Sequence, residues 1–284
     1  MPPSFASLPD GRQLAYEEFG DPAGTPVVNC HGGLTSRLDV RRCADVATRT
    51  GIRLISPDRP GIGRSDPKPG RTLLDWPSDV SALADHLGLA DFAVLGWSAG
   101  GPFAAACAYA LAGRVTAAAL VAGAIPGDWP GAKSELSRAD RTLLTLSFHA
   151  RPVAVLVLRA MELSAARMPK AFRRSSLRSL DEPSRRVVTA DPLLDYTEPI
   201  AEGLRHPSSV VQEYRIMGSP WGFDPGSIAP SVTVWQGTAD ALVPPSWGER
   251  LADAIPGSQL TTCPDEGHFL PAERYEQIFS TLKR

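Results

Sequence analysis

DFAVLGWSAGGPFAAACAYAL, residues 91–111, reads as a strand, a sharp turn and a helix, with Ser98 at the turn. Phe92 to Leu95 is an unbroken apolar run, the pattern of a strand buried on both faces. Ala99 to Leu111 is rich in alanine, a strong helix former whose small side chain permits close packing. Between them stands Gly96-Trp97-Ser98-Ala99-Gly100. A serine hydroxyl is a weak nucleophile and needs an exposed position beside a base. A tight strand-to-helix turn lifts it out of the sheet, and the two glycines leave room for a crowded backbone. The N–H of Ala99, at the helix start, can point at a developing oxyanion. Without chemistry the same pentapeptide would serve as a Gly/Ser helix cap, so its partners elsewhere in the chain decide its meaning.

Working outward, apolar strands at Val27–Cys30, Arg53–Ser56 and Val115–Ala122 alternate with helical spacing at Asp39–Thr50 and Leu73–Leu87, the latter closed by Gly88 as C-cap. That alternation predicts an α/β fold with a parallel sheet and helices on both faces. Before it, Asp10-Gly11 flanked by Phe5–Leu8 and Gln13–Phe19 predicts a β-hairpin. The pattern changes at Ile125. Residues 126–228 read as helices broken by prolines, at Leu136–Ala150, Pro152–Arg167, Pro183–Val188 and Pro199–Met217. Alternation then resumes with a strand at Val232–Gln236, a helix at Ser246–Ala254, a strand at Gln259–Cys263 and a last helix at Pro271–Leu282. The expected organisation is a core made of 1–125 and 229–284, with 126–228 inserted as a helical cap.

A chain of 284 residues suits one such domain with an insertion. A formal net charge of −2 gives no reason to expect nucleic acid as partner. No apolar run is long enough for a membrane span. MPPSFASLPDGRQ lacks a basic region followed by an apolar one, so no secretory signal is expected and a cytoplasmic location follows. Cys30, Cys43, Cys107 and Cys263 form no C-x-x-C pair, and buried free thiols are the simplest expectation. In the cap, the seven Lys/Arg and two acids between Arg167 and Arg186 suit a solvated helix face or an attraction for an anionic substrate group. Trp129, Phe148, Met161, Trp221 and Phe223 either line a pocket or pack the cap onto the core.

Ser98 needs an imidazole and a group to orient it. Of the five histidines, His86 falls in a predicted helix and His149 and His206 in the cap, while His268 follows the predicted strand Gln259–Cys263, in Pro264-Asp265-Glu266-Gly267-His268-Phe269. That is the sheet edge where ligands of parallel α/β folds bind. Asp240 follows the strand before it, in Gly237-Thr238-Ala239-Asp240, and is the expected orienting acid. Asp265 and Glu266 are its rivals but lie too close to His268 in sequence. An Asx-turn is the other role for Asp240. After Val27–Cys30 comes His31-Gly32-Gly33, whose glycines allow a close backbone approach. The N–H of Gly33 is the expected second oxyanion donor, with Leu34 as the alternative. The imidazole of His31 is expected to bond the loop backbone. Asp58 and Arg59, at another strand end, are expected to form an ion pair or loop hydrogen bonds.

Gly96-Trp97-Ser98-Ala99-Gly100, His31-Gly32-Gly33, Asp58-Arg59-Pro60-Gly61-Ile62-Gly63-Arg64-Ser65, Gly237-Thr238-Ala239-Asp240 and Gly267-His268 together resemble the α/β-hydrolase superfamily. The resemblance covers the chain outside the cap. It implies an eight-stranded, mostly parallel sheet with a cap between strands six and seven. It further implies Ser98 as nucleophile, His268 as base and Asp240 as acid. The Asp-Arg-Pro-Gly and His-Gly-Gly loops are similar to the proline iminopeptidase branch. Leu34 departs from that branch where it has proline, and the elbow lacks its Gly-Ser-Trp-Gly form. Ser98 also argues against the dehalogenases and epoxide hydrolases of this fold, which use aspartate. The chemistry implied is serine hydrolysis of a small-molecule ester, amide or thioester through an acyl-enzyme, needing no metal or organic cofactor. A lyase, acyltransferase or cyclisation enzyme would use the same triad. A non-catalytic small-molecule receptor on the same fold is the third possibility.

Overall fold

The computed structural model describes residues 3–191 and 194–283. Positions 1, 2 and 284 of the expected core and 192 and 193 of the expected cap lie outside the described residues. One sheet holds β1 (Ser4–Ser7), β2 (Gln13–Gly20), β3 (Thr25–Cys30), β4 (Ile52–Pro57), β5 (Phe92–Trp97), β6 (Val115–Val121), β7 (Ser231–Gly237) and β8 (Gln259–Cys263). Their spatial order is β1-β2-β4-β3-β5-β6-β7-β8. The Asp10-Gly11 turn joins β1 to β2 as a hairpin with Phe5 opposite Ala15, and Gly11 supplies the positive φ of 86° that the turn requires. β2 also runs antiparallel to β4. All other neighbours pair parallel, so β2 alone runs against the rest.

The inner parallel strands are largely apolar because both faces are covered, whereas the edge strand β8 is mostly exposed. Val94 packs with Leu83, Phe103 and Leu251 on one side, from α2 (Trp76–His86), α3 (Gly101–Ala110) and α10 (Pro245–Ala254). Ala93 and Leu95 pack on the other with Ala47, Ile278 and Phe279, from α1 (Ala44–Arg49) and α11 (Pro271–Leu282). β3 has β4 on one side and β5 on the other, so the chain reverses its direction of travel across the sheet there. The crevice at the carboxyl ends of β3 and β5 is the topological switch point, where such sheets bind ligands.

Between β6 and β7 run α4 (Arg138–His149), α5 (Arg151–Arg167), α6 (Pro169–Ser179), α7 (Glu182–Ala190), α8 (Thr197–Gly203) and α9 (Pro207–Met217). Two of these differ from expectation. The helix expected at Pro199–Met217 is two helices, because Pro207 starts α9 and the residue before a proline avoids helical angles; His206 has φ −121° and ψ 78°. α6 falls within the run from Arg167 to Arg186, which the sequence offers only as a charged, solvated helix face, and Phe172 is the one α6 residue that is buried. Leu143, Leu144, Ala154, Leu158, Val210 and Tyr214 give the segment its own apolar cluster, which meets the core at Ile62. Asp39–Thr50 begins as a 3-10 turn, Arg37–Cys43, before α1. All four cysteines are buried and free. No helix among the described residues is long and apolar enough to cross a membrane.

Candidate active site

β5 ends at Trp97, and Ser98 takes a positive φ of 56° before a short 3-10 turn leads into α3. A residue with a Cβ adopts that left-handed angle at a cost of order 1–3 kcal/mol. The surroundings leave the chain no other course. A Cβ on Gly100 would sit 1.9 Å from the Cys30 carbonyl oxygen, and one on Gly96 would sit 2.5 Å from the Gly100 carbonyl oxygen. The glycines therefore let the elbow press against the end of β3.

His268 and Asp240 meet in the loops after β8 and β7. The Nδ1 of His268 lies 2.8 Å from Asp240 Oδ2. Asp240 Oδ1 accepts from the N–H groups of Leu242 and Val243, both at 2.8 Å. Asp240 thus bonds its own turn through one oxygen and the His268 ring through the other. Burial alone would lower the His268 pKa, but the charge and hydrogen bond of Asp240 raise it above the ordinary imidazole value. Of the rivals, Glu266 is paired with Arg274 and Asp265 is exposed. Trp97 closes this corner: its indole N–H donates to the His268 carbonyl at 3.0 Å, and its ring packs on His268 and Phe269.

Ser98, Ala99, Gly33, Leu34 and His268 all line one cavity of about 540 Å³. Gly33 lies beside Ala99, since a Cβ on it would be 3.2 Å from the Ala99 Cβ. The loop carrying Gly33 is held from below. Asp39 Oδ2 accepts from the Gly32 N–H at 2.8 Å, and Asn29 donates to Asp39 Oδ1 at 3.0 Å; burial raises the Asp39 carboxyl to about 6. The His31 ring is part of this scaffold, as expected. Its Nε2 accepts from the Arg59 N–H at 3.3 Å, so Nδ1 carries the proton and donates to the Gly32 carbonyl at 2.9 Å. Burial, aided by the charge of Arg59, lowers its pKa to about 3 and keeps it neutral.

Arg59 does not pair with Asp58, which binds Arg37 instead at 2.7 Å. The Arg59 guanidinium donates to the His31 carbonyl and lies bidentate against Glu213 of α9, at 2.6 and 2.9 Å. Arg71 donates to the same carboxylate at 2.9 Å. Burial would raise the Glu213 pKa, yet the two arginines hold it down at about 2. Sequence reasoning missed Glu213, Asp39 and the anchoring role of Trp97, because none has a local signal. Of the aromatic and Met residues considered for a pocket, Met161 lines the cavity. Trp129, Trp221 and Phe223 pack with the core, and Phe148 is exposed. Among the described residues no group of three His, Cys, Asp or Glu is placed to hold a metal ion.

This arrangement on this fold defines a class. A family model described as alpha/beta hydrolase fold matches residues 25–275, and the chain belongs to that family. It is similar to a non-heme chloroperoxidase of Streptomyces lividans, 37% identical over 119 residues that make up 41% of this chain and 43% of that protein. It is also similar to a proline iminopeptidase of Xanthomonas citri, 36% identical over 104 residues, 35% of this chain and 32% of that protein. The chain thus spans less than half the length of these curated relatives. Its fold is similar to that of a bromoperoxidase from Bacillus anthracis, with a TM-score of 0.75 at 19% identity, covering 98% of this chain and 97% of that one. It is likewise similar to an esterase from Rhodococcus sp. ECU1013, with a TM-score of 0.71 at 24% identity, covering 99% and 100%.

The buried cluster at Glu213 makes a stability prediction. Glu213→Gln strands two guanidinium groups in the interior, where losing one partner of a buried ion pair costs about 3–5 kcal/mol. Urea unfolding should show a loss of that size. A loss below about 1 kcal/mol would mean that the charges do not tie α9 to the glycine loop.

Proposed function

We propose that this chain is a serine hydrolase working through an acyl-enzyme, with Ser98 as nucleophile, His268 as base and Asp240 as orienting acid. The observation that carries the proposal is the convergence of a strained, elbow-mounted serine and a carboxylate-bound histidine on one cavity. With Nδ1–H given to Asp240, the Nε2 of His268 is free to take the Ser98 proton as Oγ attacks a carbonyl carbon. The carbonyl oxygen becomes an oxyanion, held by the N–H groups of Gly33 and Ala99; the closeness of these two positions supports Gly33 over Leu34. One such donor is worth about 3 kcal/mol of barrier. The imidazolium then protonates the leaving group. In the second half, Nε2 takes a proton from water, the hydroxide attacks the acyl carbon, and Ser98 Oγ departs with the proton returned.

In this proposal the helices of 126–228 form the cap that closes the cavity over the sheet edge. Leu136, Met161, Leu180, Ile200, Val210 and Met217 come from that segment and make its lining largely apolar. The two carboxylates in the lining are engaged. Glu213 is held by Arg59 and Arg71, while Asp140 accepts from the hydroxyls of Tyr214 at 2.9 Å and Ser137 at 2.7 Å. This favours an uncharged small-molecule ester over the aminoacyl group that the name proline iminopeptidase describes. A fluorophosphonate should label the wild type at Ser98, and p-nitrophenyl butyrate should turn over faster than proline p-nitroanilide. Ser98→Ala should lose both labelling and turnover. Full turnover by Ser98→Ala would refute the assignment, and faster cleavage of the anilide would refute the substrate class.

A second prediction concerns pH. His268 acts as a base only when neutral, so kcat/KM should rise with pH through its pKa. Because Asp240 raises that pKa, the acid limb should lie above the ordinary imidazole value. Asp240→Asn removes the two largest influences that raise that pKa, leaves burial opposed only by the weaker charges of Asp140 and Asp181, and should move the limb downward, with a rate loss of about 10⁴-fold from the wrong tautomer. An unmoved limb would show that Asp240 does not act through His268.

A further inference from the structure

The buried cluster around Glu213 is not neutral. Two guanidinium groups, Arg59 and Arg71, share one carboxylate. The Arg71 side chain is 1% exposed, and its Nε and Nη1 have no hydrogen-bond partner. Burial pulls its pKa below the ordinary arginine value, with Glu213 and Asp79 opposing; Asp79 is itself taken by Arg12 at 2.6 and 2.9 Å. Buried donors left without partners are rare and costly, and such a group commonly marks a ligand or water position.

Arg71 lines a second cavity, of about 410 Å³. It lies on the other side of α9 from the Ser98 cavity: Val210, Glu213, Tyr214 and Met217 face the first, and Val211, Gln212, Arg215 and Ile216 face the second. Two further arginines line it, Arg151 at the start of α5 and Arg215 on α9. Neither makes an ion pair among the described residues, and none of the described residues lining the cavity is acidic. Leu73, Val211 and Ile216 supply apolar wall, and Ser208 and Gln212 supply polar wall.

We propose that this cavity is a binding site for a small organic oxyanion, a carboxylate or phosphate monoester carried on an apolar body. Arg151 and Arg215 meet the oxyanion with charge-assisted, bidentate-capable hydrogen bonds. Arg71 supplies the unbalanced positive charge behind it, in an interior where charge is weakly screened. The hydrocarbon body rests on Leu73, Val211 and Ile216. The cavity, at about 410 Å³, has room for an organic body beside the oxyanion, since one water needs only about 10–15 Å³. The site is independent of whether Ser98 is a nucleophile.

The test is calorimetric titration of the full chain at constant ionic strength with phenyl phosphate, benzoate and the neutral control benzyl alcohol. At least one of the two anions should bind saturably, and the alcohol should not. The double variant Arg151→Ala/Arg215→Ala changes only exposed side chains and should weaken anion binding by about tenfold or more, the weight of a charged hydrogen bond. Arg138→Ala, which alters the arginine of the Ser98 cavity, should leave binding unchanged. The proposal is overturned if neither anion binds saturably, if the double variant binds like the wild type, or if the loss follows Arg138→Ala instead.

Discussion

A serine backbone held at φ 56° is the constraint on which the candidate site depends. Only a strand-to-helix turn with no side chains at Gly96 and Gly100 can carry it, because those positions press on the Gly100 and Cys30 carbonyl oxygens. The same closeness brings the end of β5 against the end of β3. The loop bearing Gly33 therefore lies beside Ala99, where Asp39, His31 and Arg59 hold it. The switch in strand order at β3 opens the crevice in which both loops stand.

Charge then fixes what the backbone has brought together. Asp240 divides its oxygens between its own turn and His268, so the loop and the imidazole share one orientation. Arg59 joins the His31 carbonyl to Glu213, 154 residues away. That link ties α9, and with it one wall of the cavity, to the loop that would hold an oxyanion. Buried ion pairs add little net stability compared with apolar packing, but breaking one is expensive. The Arg59–Glu213–Arg71 cluster therefore acts more as a constraint on geometry than as a source of stability.

The inner strands were legible because they are covered on both faces and read as short apolar runs between turns. The elbow was legible for the same reason, with glycines at the two positions where a Cβ would collide. His268 and Asp240 were reached because each follows a strand at the edge where Ser98 stands. The helices between β6 and β7 were read less well. α6 buries one residue amid a charged run, and Pro207 divides a run that looked continuous. Glu213 left no local trace, since its partners Arg59 and Arg71 lie far back in the chain. Arg59 was noticed as a charged strand-end residue, but a partner on α9 becomes visible only once the chain is folded.

The most direct measurement is rapid-quench mass spectrometry of the chain mixed with a p-nitrophenyl ester. Acyl transfer through Ser98 predicts a mass increase equal to the acyl group on the peptide carrying Gly96–Gly100, formed before steady state and absent in Ser98→Ala. Steady turnover with that peptide unmodified at every quench time, together with equal turnover by Ser98→Ala, would contradict it.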